Sequence, residues 1–202
     1  MLTKIDELTL PDHWHLNTLD ECYFIGEYTA GKGYAFSVTN QLIFNLKKSV
    51  ERRGHTDWIW KERAIRSAAT TLLNSLNPAF LATATFIPVP PSRVFNDPLY
   101  DDRMSQVLRL LGPQVDAREL VLQVQSTEGA HVAVDRPGPQ ELYDNYVVEP
   151  DSIAPTPAQI AIVDDVLTTG AHFKAMKRIL NETFPDVGVV GLFLTRRVPN
   201  TE

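Results

Sequence analysis

The stretch Ile160-Ala161-Ile162-Val163-Asp164-Asp165-Val166-Leu167-Thr168-Thr169-Gly170-Ala171-His172 decides the fold. Its four leading apolar residues predict a buried strand over 160–163. Two adjacent carboxylates emerge at the carboxyl end of that strand, where open α/β sheets receive ligands. Small residues then make a turn that opens a helix. Backbone N–H groups and hydroxyls in such a turn wrap around a phosphate, and the helix dipole favours its negative charge. Carboxylates able to hold a diol, beside a phosphate nest, suit a ribose 5-phosphate.

Outward from this stretch, the pattern alternates. A helix is predicted over 171–183 and a last strand over 187–194. Upstream, residues 83–89 read as a strand stopped by Pro90-Pro91. Residues 102–111 read as a helix with Met104, Val107, Leu108 and Leu111 inward, and 120–124 as another strand. Residues 126–150 are polar, with a short helix around 140–143. They are longer than a usual connection, which makes them a candidate lid. Strands alternating with helices imply an α/β fold, with a mostly parallel central sheet flanked by helices on both faces.

The amino-terminal third is read more loosely. Residues 1–17 look like a loosely attached arm. Residues 22–28 and 34–38 flank Ala30-Gly31-Lys32-Gly33 and predict a hairpin. Asn40 is placed to cap a helix that turns Leu42, Ile43, Leu46 and Val50 to one face. Ile65, Ala68, Ala69, Leu72, Leu73 and Leu76 recur at helical spacing, and Asn77-Pro78 ends that helix.

The chain has 202 residues and 44% hydrophobic content, enough for one substantial core and a single domain over 1–202. Within it, 1–78 form an elaboration and 79–202 the core. The formal net charge of −6 argues against general affinity for nucleic acid or an anionic membrane. A specific phosphorylated ligand stays compatible, since a nest of N–H groups and one or two arginines suffices. Cys22 is the only cysteine, so neither a disulfide framework nor a multi-cysteine zinc site forms within one chain. Residues 1–7 lack a signal-peptide layout and no apolar run reaches membrane-spanning length, so a cytoplasmic protein is expected. A P-loop is excluded, because no Gly-x-x-x-x-Gly-Lys-Ser/Thr run is present.

Residues 160–172 resemble the phosphoribosyl pyrophosphate motif of type I phosphoribosyltransferases: four apolar residues, two acids, then a Thr-Gly turn. Paired acids also end the first strand of response-regulator phosphoacceptor domains, but here too little chain follows Asp165 to complete such a domain. A weaker similarity extends over 83–197 and is nearest to the ComF-like (competence protein F) branch. Phe86-Ile87-Pro88-Val89-Pro90-Pro91-Ser92-Arg93 is similar to that branch's first core strand and pyrophosphate loop. Tyr100-Asp101-Asp102-Arg103-Met104-Ser105-Gln106 occupies the place of its Arg-Gly-Phe-Asn-Gln stretch. The insert with Ser126, His131, Arg136 and Asn145 takes the place of its mobile hood. The chain departs from the branch by lacking a zinc ribbon, by having His172 where Thr or Ser usually ends the phosphate loop, and by a hood whose only basic residue is Arg136. Thr168 stands where purine-salvage members carry an acid, which argues against purine salvage.

The resemblance implies that Asp164 and Asp165 hold the ribose 2- and 3-hydroxyls of phosphoribosyl pyrophosphate, directly or through a magnesium (Mg2+) shell. It implies that Thr168, Thr169, Gly170, Ala171 and His172 cradle the 5-phosphate. Glycine at 170 allows close backbone approach. Ser92 and Arg93 would meet the pyrophosphate. The implied reaction is displacement of pyrophosphate from C1 by a nitrogen nucleophile, through an oxocarbenium-like transition state that the protein mainly positions and neutralises. Alternatives in other classes are a non-catalytic nucleotide or phosphoribosyl pyrophosphate sensor, and a partner-dependent module of a DNA-processing or defence system. A homodimer or a protein partner is expected by the same resemblance.

Other residues have blander expectations. Arg103 and Arg136 read as surface charges, Arg196-Arg197 as a solvated tail and His131 as an exposed histidine. Lys47-Lys48 with Arg52-Arg53 reads as the wet face of a helix. Trp58 and Trp60 are expected to pack on the helix that follows them, and Cys22 to be a buried, inert thiol.

Overall fold

The predicted strand at 160–163 is the middle of a longer one. In a computed structural model describing residues 1–127 and 137–200, β7 spans Gln159–Leu167 and carries both aspartates within its length. It lies inside a six-stranded sheet made with β1 (Thr3–Lys4), β2 (Cys22–Thr29), β3 (Ala84–Pro88), β4 (Asp116–Ala117) and β8 (Val189–Val198), in the order β1-β2-β8-β7-β3-β4. Every pairing is parallel except the antiparallel edge pair β1–β2.

β7 is buried on both faces, which is why its first half reads as an unbroken apolar run. Ile160 and Ile162 pack with Phe173, Met176 and Leu180 of α6 (Ala171–Thr183). Ala161 and Val163 face the opposite layer, among Ala68 and Leu72 of α2 (Ile59–Ser75) and Val107 and Leu108 of α4 (Arg103–Arg109). Each of the larger side chains among them contributes roughly 1.5–3 kcal/mol when fully buried. α6 keeps the predicted bounds because its apolar residues recur at helical spacing and Gly170 sets its start.

The crossovers place the site. From β3 the chain crosses through α4 to β4; from β7 it crosses through α6 to β8. The two crossovers leave in opposite directions, in opposite layers. The carboxyl ends of the adjacent strands β3 and β7 therefore part into a crevice, the switch point of an open α/β sheet.

Several sequence expectations need correction. The predicted hairpin at 22–38 is absent: β2 pairs with β8, and Val38 already begins α1 (Val38–Leu46). The Ser37 hydroxyl caps α1 by accepting the Asn40 N–H at 3.0 Å. Asn40 is buried instead, and its carboxamide ties down Thr29 N and O at 3.1 Å each and Lys32 O at 3.2 Å. Asn77 does more than end α2; its side chain caps α3 (Pro78–Thr83) through the Ala79 N–H at 2.8 Å. The strand expected at 120–124 stands outside the central sheet. There β5 (Val121–Gln123) pairs antiparallel with β6 (Tyr146–Val148), following the short helix α5 (Pro139–Asp144). The core strand in that region is β4, too short to show a period. His131 and Arg136 lie outside the described residues.

The amino-terminal arm is fastened, not loose. Ile5 and Leu16 join the core, and His13 and Asp20 are buried. Asp20 accepts from Lys174 and Lys177 of α6 at 2.8 Å each. The apolar residues of the arm follow no regular period, and its anchoring combines buried Ile5 and Leu16 with these polar contacts. No helix among the described residues is long and apolar enough to cross a membrane.

Candidate functional site

Strand alternation sends the paired acids to opposite layers. Asp164 continues the face of Ile160 and Ile162, toward α6 and β6. Asp165 continues the face of Ala161 and Val163, toward α1, α2 and α4.

Asp165 is held by two cations. Lys47 Nζ lies 3.0 Å from its Oδ1, and Arg103 donates to Oδ2 from Nε at 2.9 Å and from Nη2 at 2.8 Å. The Arg103 Nη1 donates to Asp101 at 2.9 Å. The same Asp101 oxygen accepts from Lys61 at 2.7 Å. Lys61 is 1% exposed and also donates to the carbonyls of Leu46 and Lys48, at 2.7 and 2.9 Å. Lys61, Asp101, Arg103, Asp165 and Lys47 thus form a continuous chain of alternating charge. Burial alone would raise the Asp165 pKa, but Lys47 and Arg103 outweigh it and hold the carboxyl well below its ordinary range. Arg103 and Lys47 are therefore corrected from surface charges to members of the site.

Asp164 has the opposite environment. Its Oδ1 accepts the Asp165 N–H at 2.8 Å, and its second oxygen meets no protein donor among the described residues. Burial and the neighbouring Asp165 charge push its carboxyl up to about 7. Nearby, the Tyr146 hydroxyl and His172 Nδ1 are 2.8 Å apart. Burial first, and Lys47 second, lower the His172 pKa to about 4, so the imidazole is neutral at neutral pH. Burial and the Asp164 charge raise the Tyr146 phenol, which keeps its proton.

The turn that opens α6 depends on Gly170. Its φ is +88°, in the left-handed region, and a Cβ there would lie 2.7 Å from Leu16 of the arm. Backbone strain and overpacking together predict that Gly170→Ala costs about 2–4 kcal/mol, read as a lower midpoint in urea unfolding. Thr168 and His172 border the crevice, whereas Thr169 and Ala171 are buried beneath it. The Ala171 N–H meets the Thr169 hydroxyl at 3.3 Å.

Across the crevice, Pro90, Pro91 and Ser92 follow β3 and form its other wall. The Ser92 carbonyl accepts from the Gln123 side chain at 2.6 Å and from the Thr127 N–H at 2.8 Å, which anchors this loop to β5. Arg93 turns into an adjoining cavity and lies 3.8 Å from Asp97. The result is one cleft of about 200 Å³ that brings together Lys47, Ser92, Arg103, both aspartates and His172.

Arg196 is not a solvated tail. It belongs to β8 and pairs with Asp12 at 2.9 Å and Glu27 at 2.6 Å. Trp60 is 47% exposed, with the Arg63 guanidinium 4.9 Å from its ring centroid, so only Trp58 is substantially covered. Cys22 is buried, and burial pushes its thiol pKa up. Sequence reasoning missed Lys61 and Asp101. A signal for Lys61 existed, since a lysine four residues before Ile65 falls on the apolar face of α2. Nothing local marks Asp101 as its partner.

Among the described residues no cluster of three or more His, Cys, Asp or Glu is placed to hold a metal ion. Both oxygens of Asp165 are taken by cations, whereas Asp164 keeps one oxygen open. A magnesium ion that retains water and substrate oxygens needs only one or two carboxylates, so Asp164 fits one and Asp165 as paired does not. In comparisons with known proteins, no family model and no curated protein matches this chain.

Proposed function

We propose that the cleft binds a ribose 5-phosphate bearing an anionic group at C1, phosphoribosyl pyrophosphate foremost, on a type I phosphoribosyltransferase-like fold. One observation carries this reading. Thr168 and His172 at the two ends of the turn, the Asp164 carboxylate, and Lys47 with Arg103 line a single cleft at the sheet's switch point. The 5-phosphate lies at the turn, with Thr168 and the neutral His172 as side-chain donors. Asp164 accepts from the ribose hydroxyls. Lys47, Arg103 and Ser92 meet the negative charge that develops on departing pyrophosphate, and such preorganised charge lowers the barrier to displacement from C1. Magnesium, when carried by the pyrophosphate on the Asp164 side, supplies further neutralisation of the leaving group. Arg93 takes the role of a residue bordering the adjoining cavity, and the nitrogen nucleophile enters from outside the charge chain.

A second reading, a non-catalytic sensor of such ligands, is favoured by two features. Asp165 is already neutralised by Lys47 and Arg103, and Thr168 is not an acid that would assist a base nitrogen. Calorimetric titration with phosphoribosyl pyrophosphate and magnesium is expected to give saturable heat. Absence of heat at millimolar ligand would overturn both readings. Pyrophosphate release with a panel of nucleobases and amines separates them: release identifies a transferase, and binding without release identifies the sensor.

A further inference from the structure

The amino-terminal arm makes contacts with the phosphate turn that the proposed ligand chemistry does not use. The His13 ring lies against the Thr168 carbonyl through Nδ1. The His15 N–H donates to the Thr169 carbonyl at 3.0 Å. Leu16 sits where a Gly170 side chain would be, and its N–H closes the arm on the His13 carbonyl at 2.8 Å. Two flanking ion-pair groups fasten this strap: Asp12 to Arg196 at 2.9 Å, and Asp20 to Lys174 and Lys177 at 2.8 Å each.

A carbonyl oxygen only accepts, so His13 Nδ1 carries the proton. His13 Nε2 is then an acceptor, and it is buried without a partner among the described residues. Leaving such an atom unpaired costs stability, so the contact that the ring contributes is the one through Nδ1. In a trans peptide the C=O and the following N–H point in opposite directions. Holding the Thr168 and Thr169 carbonyls on the arm therefore turns the Thr169 and Gly170 N–H groups away from it. Neither His13 nor His15 borders the cleft.

We propose that His13 is a positioning residue: through the Thr168 carbonyl it fixes the peptide planes of the turn, so that the Thr169 and Gly170 amides present themselves to a phosphate. This rests on the ribose 5-phosphate reading of the cleft. The arm belongs to the binding device even though it contacts no ligand, and the device is built from two segments more than 150 residues apart in the chain.

The test is a titration of the full chain with ribose 5-phosphate and with ribose, followed by calorimetry and by ¹H–¹⁵N spectra. In the wild type, the Thr169 and Gly170 amide signals move on adding ribose 5-phosphate, and the His13 ring shows the Nδ1–H tautomer. His13→Leu removes the donor. It is expected to lower affinity for ribose 5-phosphate by at least about tenfold, the scale of hydrogen bonds to a charged group. Affinity for ribose stays unchanged, and the two amides no longer respond. His13→Asn places an amide donor near the Nδ1 position and restores both. Should the leucine variant fail to fold, His13→Gln, whose amide falls nearer the Nε2 position, replaces it with the same expectation. Equal ribose 5-phosphate affinity and unchanged amide responses in the donor-less variant would overturn the role of His13 while leaving the cleft's ligand in place. No response of the wild type to ribose 5-phosphate would overturn the ligand reading and the positioning role together.

Discussion

Asp164→Asn is expected to lower affinity for phosphoribosyl pyrophosphate by about 100-fold while leaving the fold more stable, not less. On the proposed reading the loss follows from removing the charged acceptor for the ribose hydroxyls, since hydrogen bonds to a charged group are worth about 1.5–3 kcal/mol. The stability gain follows from the raised Asp164 pKa. A carboxyl whose folded pKa lies above its unfolded value binds more protons when folded. Its favourable contribution, complete below the unfolded pKa near 3.8, is lost as pH rises through about 7. His172 acts with the opposite sign. Its folded pKa of about 4 lies below the unfolded value of 6.5, so its destabilising effect appears as pH falls between those two values. As pH rises from 6.5 to 8 the last of the histidine's effect is removed, which raises stability, so a decline in wild-type stability over that range belongs to Asp164. Asparagine abolishes that decline, with a gain on the order of 1 kcal/mol at pH 8. Urea unfolding of wild type and variant at pH 6.5 and pH 8, beside calorimetry at the same pH values, checks both halves. A variant that loses binding and stability together would show Asp164 to be a structural acid.

The second large effect concerns the buried charge chain. Arg103→Met is expected to destabilise the protein by about 3–5 kcal/mol, the usual result of breaking a buried pair from one side. The guanidinium bridges Asp101 and Asp165, and its removal leaves each acid with a lysine alone. Arg103→Lys should recover only part of the loss, because a point charge cannot engage both carboxylates as the planar fork does. Adding Asp165→Asn to Arg103→Met should return a substantial part, since it removes one of the acids left underpaired. Chemical denaturation of the three variants measures this. Equal stability of Arg103→Met and wild type would show that solvent or a neighbouring side chain replaces the guanidinium at little cost.

The inner strands β3, β7 and β8 were legible because their signals are local. The run 160–163, the apolar spacing in α6 and the proline stop after β3 each act within a few residues. The turn that opens α6 was legible for the same reason, since Gly170 and its neighbours form one contiguous motif. What could not be read depends on distant partners. Residues 34–38 have strand-like composition, but Ser37 supplies a cap and β2 finds its partner at β8, far along the chain. Arg103 resembles any helix arginine until the fold sets it beside Asp165. His13 resembles any histidine in a polar segment until Thr168 comes up against it. Charge and burial at these positions are properties of the tertiary arrangement, and local pattern carries no record of them.

Strand alternation in β7 has a consequence for how this protein can change. On one side of the sheet Tyr146 of β6 comes near Asp164, in the layer that also holds β5 and α5; on the other, the layer of α1, α2 and α4 grips Asp165. Grafting a foreign segment in place of the first layer's strand pair would alter what the open acid meets without disturbing the ionic lattice behind it. Ligand preference and scaffold integrity are thereby separable traits, able to drift on opposite sides of a single strand.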